Sequence, residues 1–109
     1  MDFYVALVTS GALTPRLFGL KIGDCIWLSS KIAGMFTLDQ MPADKNVVMI
    51  ATGTGLAPYM SMLSTHLMCG EARRFAVLHG ARHSWDLGYR SQLMTLEHLC
   101  SNLNCIPTI

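Results

Sequence analysis

The chain has 109 residues, 51% of them hydrophobic and 14% charged, with a formal net charge of +1. That balance supports one modest core and excludes a disordered tail, and a near-neutral charge without a Lys/Arg cluster excludes the electrostatic footprint of a nucleic-acid binder. No signal peptide or long apolar run is present, and the four cysteines (Cys25, Cys69, Cys100 and Cys105) form no CxxC pair, which points to a reducing cytoplasm with no membrane partner.

The first forty residues read mainly as β structure. "FYVALVT" is apolar and β-branched, "SGAL" is a turn, and "GDCIWLSS" opens a new strand after Gly23-Asp24. Between them "TPRLFGL", with Pro15 after Thr14, predicts a single helical turn. "DQMPADKN" gathers proline, aspartate and asparagine and reads as a connector, so residues 1–40 and 41–109 are expected to belong to different domains.

Beyond the connector, strand and helix alternate. "VVMIA" is a strand, "TGTGLA" a turn and "PYMSMLSTHLMCG" a helix. "FAVLHG", "ARHSW" and "DLGYRSQLMTLEHLC" repeat the sequence, and "CIPTI" begins a third strand. This order predicts a parallel α/β unit, and near-continuous apolar strands predict a sheet covered on both faces. Pro58 suits the first turn of the first helix, where a missing N–H is no loss. Asp86 is expected to cap the second helix or lie at its positive end. Met60, Met62 and Met68 read as packing residues. Two βα units and a short third strand leave the sheet unfinished at Ile109, so the chain is expected to be an internal piece of a longer protein.

The chemistry concentrates at the carboxyl ends of the strands. Gly53-x-Gly55-x-x-Pro58 follows a strand and precedes a helix, the arrangement in which backbone N–H groups and a helix N-terminus receive a phosphate. A tight βα turn alone would also use glycine for its dihedrals. After the second strand, where a site specific for NAD would carry a carboxylate, stands Arg82. Its guanidinium can fork onto phosphate oxygens, which favours NADP, although a solvated surface arginine would look the same. His79 and His83 are four apart but flanked by strand and turn residues, so no metal site is expected. His66, His79, His83 and His98 read as core or surface residues.

The stretches "FYVALVTSGALTPRLFGLKIGDCIWLSSKIAGMFTLD", "VVMIATGTGLAPYMSML" and "AVLHGARHSWDLGYRSQL" resemble the bacterial type of ferredoxin–NADP(+) reductase. The resemblance implies a two-domain flavoenzyme. Residues 1–40 would be the end of an antiparallel FAD-binding β-barrel, and residues 41–109 the first half of a Rossmann-like NADP-binding domain. Hydride would pass between NADP(H) and FAD, and electrons between FAD and ferredoxin or flavodoxin. It further implies that Tyr4 and the turn at Ala12, Leu13 and Thr14 touch FAD, with Thr14 near its pyrophosphate. Thr54 would lie at the flavin edge, Thr52, Gly53 and Gly55 would shape the NADP turn, and Arg82 would meet the phosphate end of the nucleotide. The family's Arg-x-Tyr-Ser flavin motif, its basic residues for the 2′-phosphate and its carboxyl-terminal flavin contacts have no counterpart here. No catalytic acid, base or nucleophile is identifiable.

Two other readings stay open. A reductase component of an oxygenase system would share these domains but carry an iron–sulfur module with clustered cysteines, and a non-catalytic nucleotide-binding α/β module would share only the second half.

Overall fold

A computed structural model describes all residues from Met1 to Ile109. Its ordered centre is a three-stranded parallel sheet of β1 (Val47–Thr52), β2 (Phe75–Gly80) and β3 (Leu103–Thr108), in the order β1-β2-β3. The register aligns Val47 with Phe75 and Phe75 with Leu103, so Thr52, Gly80 and Thr108 finish level at the carboxyl edge. A 3₁₀ turn, Gly53–Leu56, and helix α2, Ala57–His66, link β1 to β2. A second 3₁₀ turn, Ser84–Asp86, and helix α3, Arg90–Leu99, link β2 to β3.

Strands that step in one direction through right-handed crossovers place both helices on the same face of the sheet. Burial follows that geometry. Val47, Met49 and Ala51 are buried with Phe75, Val77 and Leu103 against Leu56, Met62, Leu63 and Leu93. The alternate residues Val48 and Ile50 are 63% and 67% exposed. The apolar runs led to an expectation of two covered faces, but in this chain one face is covered and the other is open. Met62 is buried, Met60 packs against the core from its edge, and Met68 is exposed.

At the amino edge of the sheet the connections are tied together. The Asn102 side-chain amide donates to the carbonyls of Met68 and Arg73, each at 2.9 Å. Cys69, at the end of the α2 connection, is joined to the buried Cys100 that follows α3, with the two Cα atoms 4.5 Å apart.

Residues 1–46 contain one regular element, the helical turn α1, Thr14–Phe18, with Pro15 in its first turn. Thr14 Oγ1 closes the preceding loop, accepting the Val8 N–H at 2.9 Å and donating to the Val8 carbonyl at 3.1 Å. The segments expected as strands form no ladder here. Alternation and β-branching favour an extended backbone, but a strand is completed only by a hydrogen-bonded neighbour. This region reaches the α/β core chiefly through Leu38, which is buried, and Tyr4, which packs at its margin. No helix is long and apolar enough to cross a membrane.

Candidate functional site

β1 ends with Thr52 in an extended conformation (φ −123°, ψ 138°), and the chain then reverses at Gly53, where φ is +50°. That left-handed geometry is cheap only for glycine. The turn runs through Thr54 and Gly55 to Leu56, which is fully buried and anchors it, and α2 begins at Ala57 with Pro58 in its first turn. A Cβ at Gly53 or Gly55 would meet no atom within 4 Å. Gly53 is therefore required for its dihedral rather than to relieve a clash, and the space above the turn is open.

Beneath the turn lies His79, only 3% exposed on β2, with Nε2 3.0 Å from the Gly53 carbonyl oxygen. After β2 the chain is held by the Ala81 N–H donating to the Thr108 carbonyl at 3.0 Å. Arg82 follows, exposed and in no ion pair. His83 and Trp85 stack with ring centroids 4.5 Å apart and planes 7° from parallel, and His83 Nδ1 lies 3.0 Å from Asp86 Oδ2.

These segments enclose a cleft of about 950 Å³ at the carboxyl edge of β1 and β2. Thr52, Gly53 and Thr54 line one side, Arg82 and Trp85 another, and residues 4–7 a third. The structure thus brings together five of the residues expected at the cofactors: Tyr4, Thr52, Gly53, Thr54 and Arg82. Gly55 belongs to the same turn but does not line the cleft. Ala12, Leu13 and Thr14 are elsewhere: Leu13 lines a separate apolar groove with Phe18 and Trp27, and the Thr14 hydroxyl is engaged with Val8. The Tyr4 hydroxyl is also taken, donating to the Asp86 carbonyl at 2.7 Å and accepting the Gly88 N–H at 3.0 Å. Asp86 was expected to cap the second helix or to lie at its positive end. It lies instead in the 3₁₀ turn beside His83, and α3 starts four residues later after Tyr89, whose φ is 58°.

His79 and Trp85 are site features that the sequence reading did not find. Strand alternation puts His79 on the same face as Phe75 and Val77, which signals burial but not its partner. His79 and His83 occupy a strand and a turn rather than one helix face. Chemically the cleft offers backbone donors, one guanidinium, an aromatic surface and one carboxylate, that of Asp86, which is paired with His83; the donors and the guanidinium suit an anionic nucleotide.

A parallel βα repeat whose glycine turn and arginine face one cleft at the carboxyl edge defines a nucleotide-binding α/β domain. The chain belongs to the oxidoreductase NAD-binding domain family, whose sequence model matches residues 49–108. It is 37% identical over 97 residues to the flavodoxin/ferredoxin–NADP reductase of Escherichia coli (strain K12), a match covering 89% of this chain and 39% of that protein. It is 34% identical over 99 residues to the flavodoxin/ferredoxin–NADP reductase of Buchnera aphidicola subsp. Baizongia pistaciae (strain Bp), covering 91% and 40%. The ferredoxin–NADP reductase of Azotobacter vinelandii is 35% identical over 99 residues, covering 91% and 38%. The chain spans about two fifths of the length of these curated relatives.

Proposed function

We propose that this chain is the nucleotide-facing part of a cytoplasmic reductase that moves electrons between NADP(H) and ferredoxin or flavodoxin by way of FAD. The observation that carries the reading is the shared cleft: the 52–54 turn and Arg82 approach one space from two successive strands. In it the turn receives the pyrophosphate on backbone N–H groups, and Arg82 supplies the positive charge. Arg82 rather than a carboxylate follows β2, which favours NADP(H) over NAD(H), because a carboxylate there would hold the ribose 2′-hydroxyl of NAD(H) and repel an added phosphate; Asp86, which also lines the cleft, is paired with His83.

FAD supplies the step between two-electron hydride transfer and one-electron exchange. Residues 1–40 would be the end of its β-barrel domain and residues 41–109 the beginning of the NADP domain. Tyr4 sits where the two would meet, and the turn at Ala12, Leu13 and Thr14 would face FAD away from the nucleotide cleft. The contribution of the chain's own residues is to bind and orient, since proximity governs transfer between two cofactors. In a reducing cytoplasm Cys69 and Cys100 would stand as neighbouring thiols.

Calorimetric titration with NADP(+) and NAD(+) tests the reading. NADP(+) should bind more tightly, and Arg82→Ala should weaken it by about 1–3 kcal/mol, the range for a lost charge-assisted contact. Equal affinity of wild type and variant for NADP(+) would remove Arg82 from the site.

A further inference from the structure

Among the four histidines, His79 alone is buried, and its one polar partner is the backbone of the glycine turn. The Gly53 carbonyl that it meets at 3.0 Å belongs to the peptide unit that also carries the Thr54 N–H. That peptide is trans, as every peptide in the chain is. In a planar trans peptide the C=O and N–H vectors are antiparallel. A carbonyl aimed inward at His79 therefore aims the Thr54 N–H the other way, toward the cleft that Thr54 lines. Only the Nε2–H tautomer makes this contact attractive, because a bare Nε2 would set a lone pair against a carbonyl oxygen.

Gly53 makes this contact consequential. At φ +50° the residue is a glycine, whose backbone has more conformational states open to it than any other residue's, so a side-chain contact that selects one of them has an effect. Its own side chain fixes nothing. Ala51 in the core and Leu56, fully buried, anchor the turn at its two ends, and between them the Gly53–Thr54 peptide is held by the short 3₁₀ turn that begins at Gly53 and by the His79 contact.

We propose that His79 is a positioning residue for the nucleotide turn: from beneath it, Nε2–H locks the Gly53 carbonyl inward and so holds the Thr54 N–H outward as a preset donor to a phosphate oxygen. The assignment rests on the nucleotide reading above, but the lock itself can be observed without any nucleotide. A site whose donors are already oriented binds without the cost of ordering them. His79 touches neither cofactor nor substrate and acts only through the peptide.

The test has two arms. Long-range ¹H–¹⁵N correlation spectra of the ¹⁵N-labelled 109-residue chain should show His79 as the neutral Nε2–H tautomer, with its ring proton protected from exchange. A Nδ1–H tautomer overturns the proposal whatever the nucleotide does. In the second arm the chain is titrated with NADP(+). His79→Phe, which keeps a buried ring but has no donor, should raise Kd by about tenfold or more, an effect of lost preorganisation. His79→Gln, whose amide N–H can reach the former Nε2 position, should recover most of that loss. Circular dichroism melts establish that both variants fold. If wild type binds NADP(+) and His79→Phe binds it equally well, positioning by His79 is wrong while the nucleotide reading survives. If wild type shows the Nε2–H tautomer but binds no NADP(+), the nucleotide reading fails, and His79 is reduced to a structural bond.

Discussion

Tyr4 occupies the space that a side chain at position 88 would need. A Cβ on Gly88 would fall 2.6 Å from the Tyr4 hydroxyl oxygen, the same hydroxyl that accepts the Gly88 N–H and donates to the Asp86 carbonyl. The Tyr4 ring also meets Tyr89 edge to face at 5.5 Å. One tyrosine thus fastens the first residues of the chain to the loop before α3, across more than eighty positions of sequence. Gly88→Ala should destabilise the fold by about 1–3 kcal/mol, the usual cost of overpacking. Tyr4→Phe should cost about 1–2 kcal/mol for two lost hydrogen bonds. In a double-mutant cycle the cost of Gly88→Ala should largely vanish on a Tyr4→Ala background. Additive urea-denaturation energies would show that the two positions are independent.

That contact also explains where the sequence was legible and where it was not. β1 and β2 follow from short apolar runs closed by glycine, and α2 from Pro58 in its first turn, all signals carried by adjacent residues. The start of α3 could not be read in the same way. Asp86 has the chemistry of a cap, but its carbonyl is engaged by Tyr4 and its carboxylate by His83, so the helix waits until Arg90. The covering of one sheet face is likewise a matter of strand order, which alternation within a strand does not encode. In residues 1–46 the β pattern was legible, yet pairing depends on neighbours that no local pattern supplies. At the site, Gly53 and Arg82 were legible as candidates from their spacing after strands, whereas Thr52 and Thr54 came only with the family resemblance. His79 was not legible, because a histidine facing inward from a strand has the same pattern whether it supports a turn or merely fills space.

The two turn glycines should respond differently to the same methyl group. Gly53 is at φ +50°, whereas Gly55 has no left-handed dihedral and has open space around it. Gly53→Ala should therefore cost about 1–2 kcal/mol from backbone strain alone. Gly55→Ala should change stability by less than about 0.5 kcal/mol, as for a surface substitution. Urea midpoints for the two variants make the comparison, and equal losses would mean that the turn's strain is not localised at Gly53.

The Cys69–Cys100 bridge should make stability depend on redox conditions. It joins residues 31 apart in sequence, and the loop entropy removed from the unfolded chain corresponds to about 3–4 kcal/mol in the chain-entropy description. Cys69 is the position to change, because it is exposed while Cys100 is buried in the core. Cys69→Ser should lower the urea midpoint of the oxidised protein and leave that of the dithiothreitol-treated protein unchanged. A wild-type midpoint indifferent to reductant would show that the bridge adds nothing to stability.

Cys105 should be the least reactive free thiol and should lend the fold an alkaline pH dependence. Burial, with a smaller contribution from the Glu97 carboxylate, pushes its pKa up to about 11, because both disfavour the thiolate. The same carboxylate accepts the Cys105 N–H at 2.9 Å, and Sγ lies 3.8 Å from the Leu93 carbonyl oxygen. A free thiol in the unfolded chain ionises near about 8.5, so the folded state holds its proton longer than the unfolded state does. The stabilisation is complete below the unfolded value and is lost as pH rises toward about 11. Urea midpoints of wild type should therefore fall more steeply above pH 9 than those of Cys105→Ala. Iodoacetamide at pH 8 should modify the exposed Cys25 well before Cys105, since the thiolate is the nucleophile. Glu97→Gln keeps an acceptor for the Cys105 N–H but removes the negative charge, and so should speed labelling of Cys105 without raising it to the rate of Cys25, because burial persists. Equal labelling of the two cysteines in the native protein would show that Cys105 is not shielded.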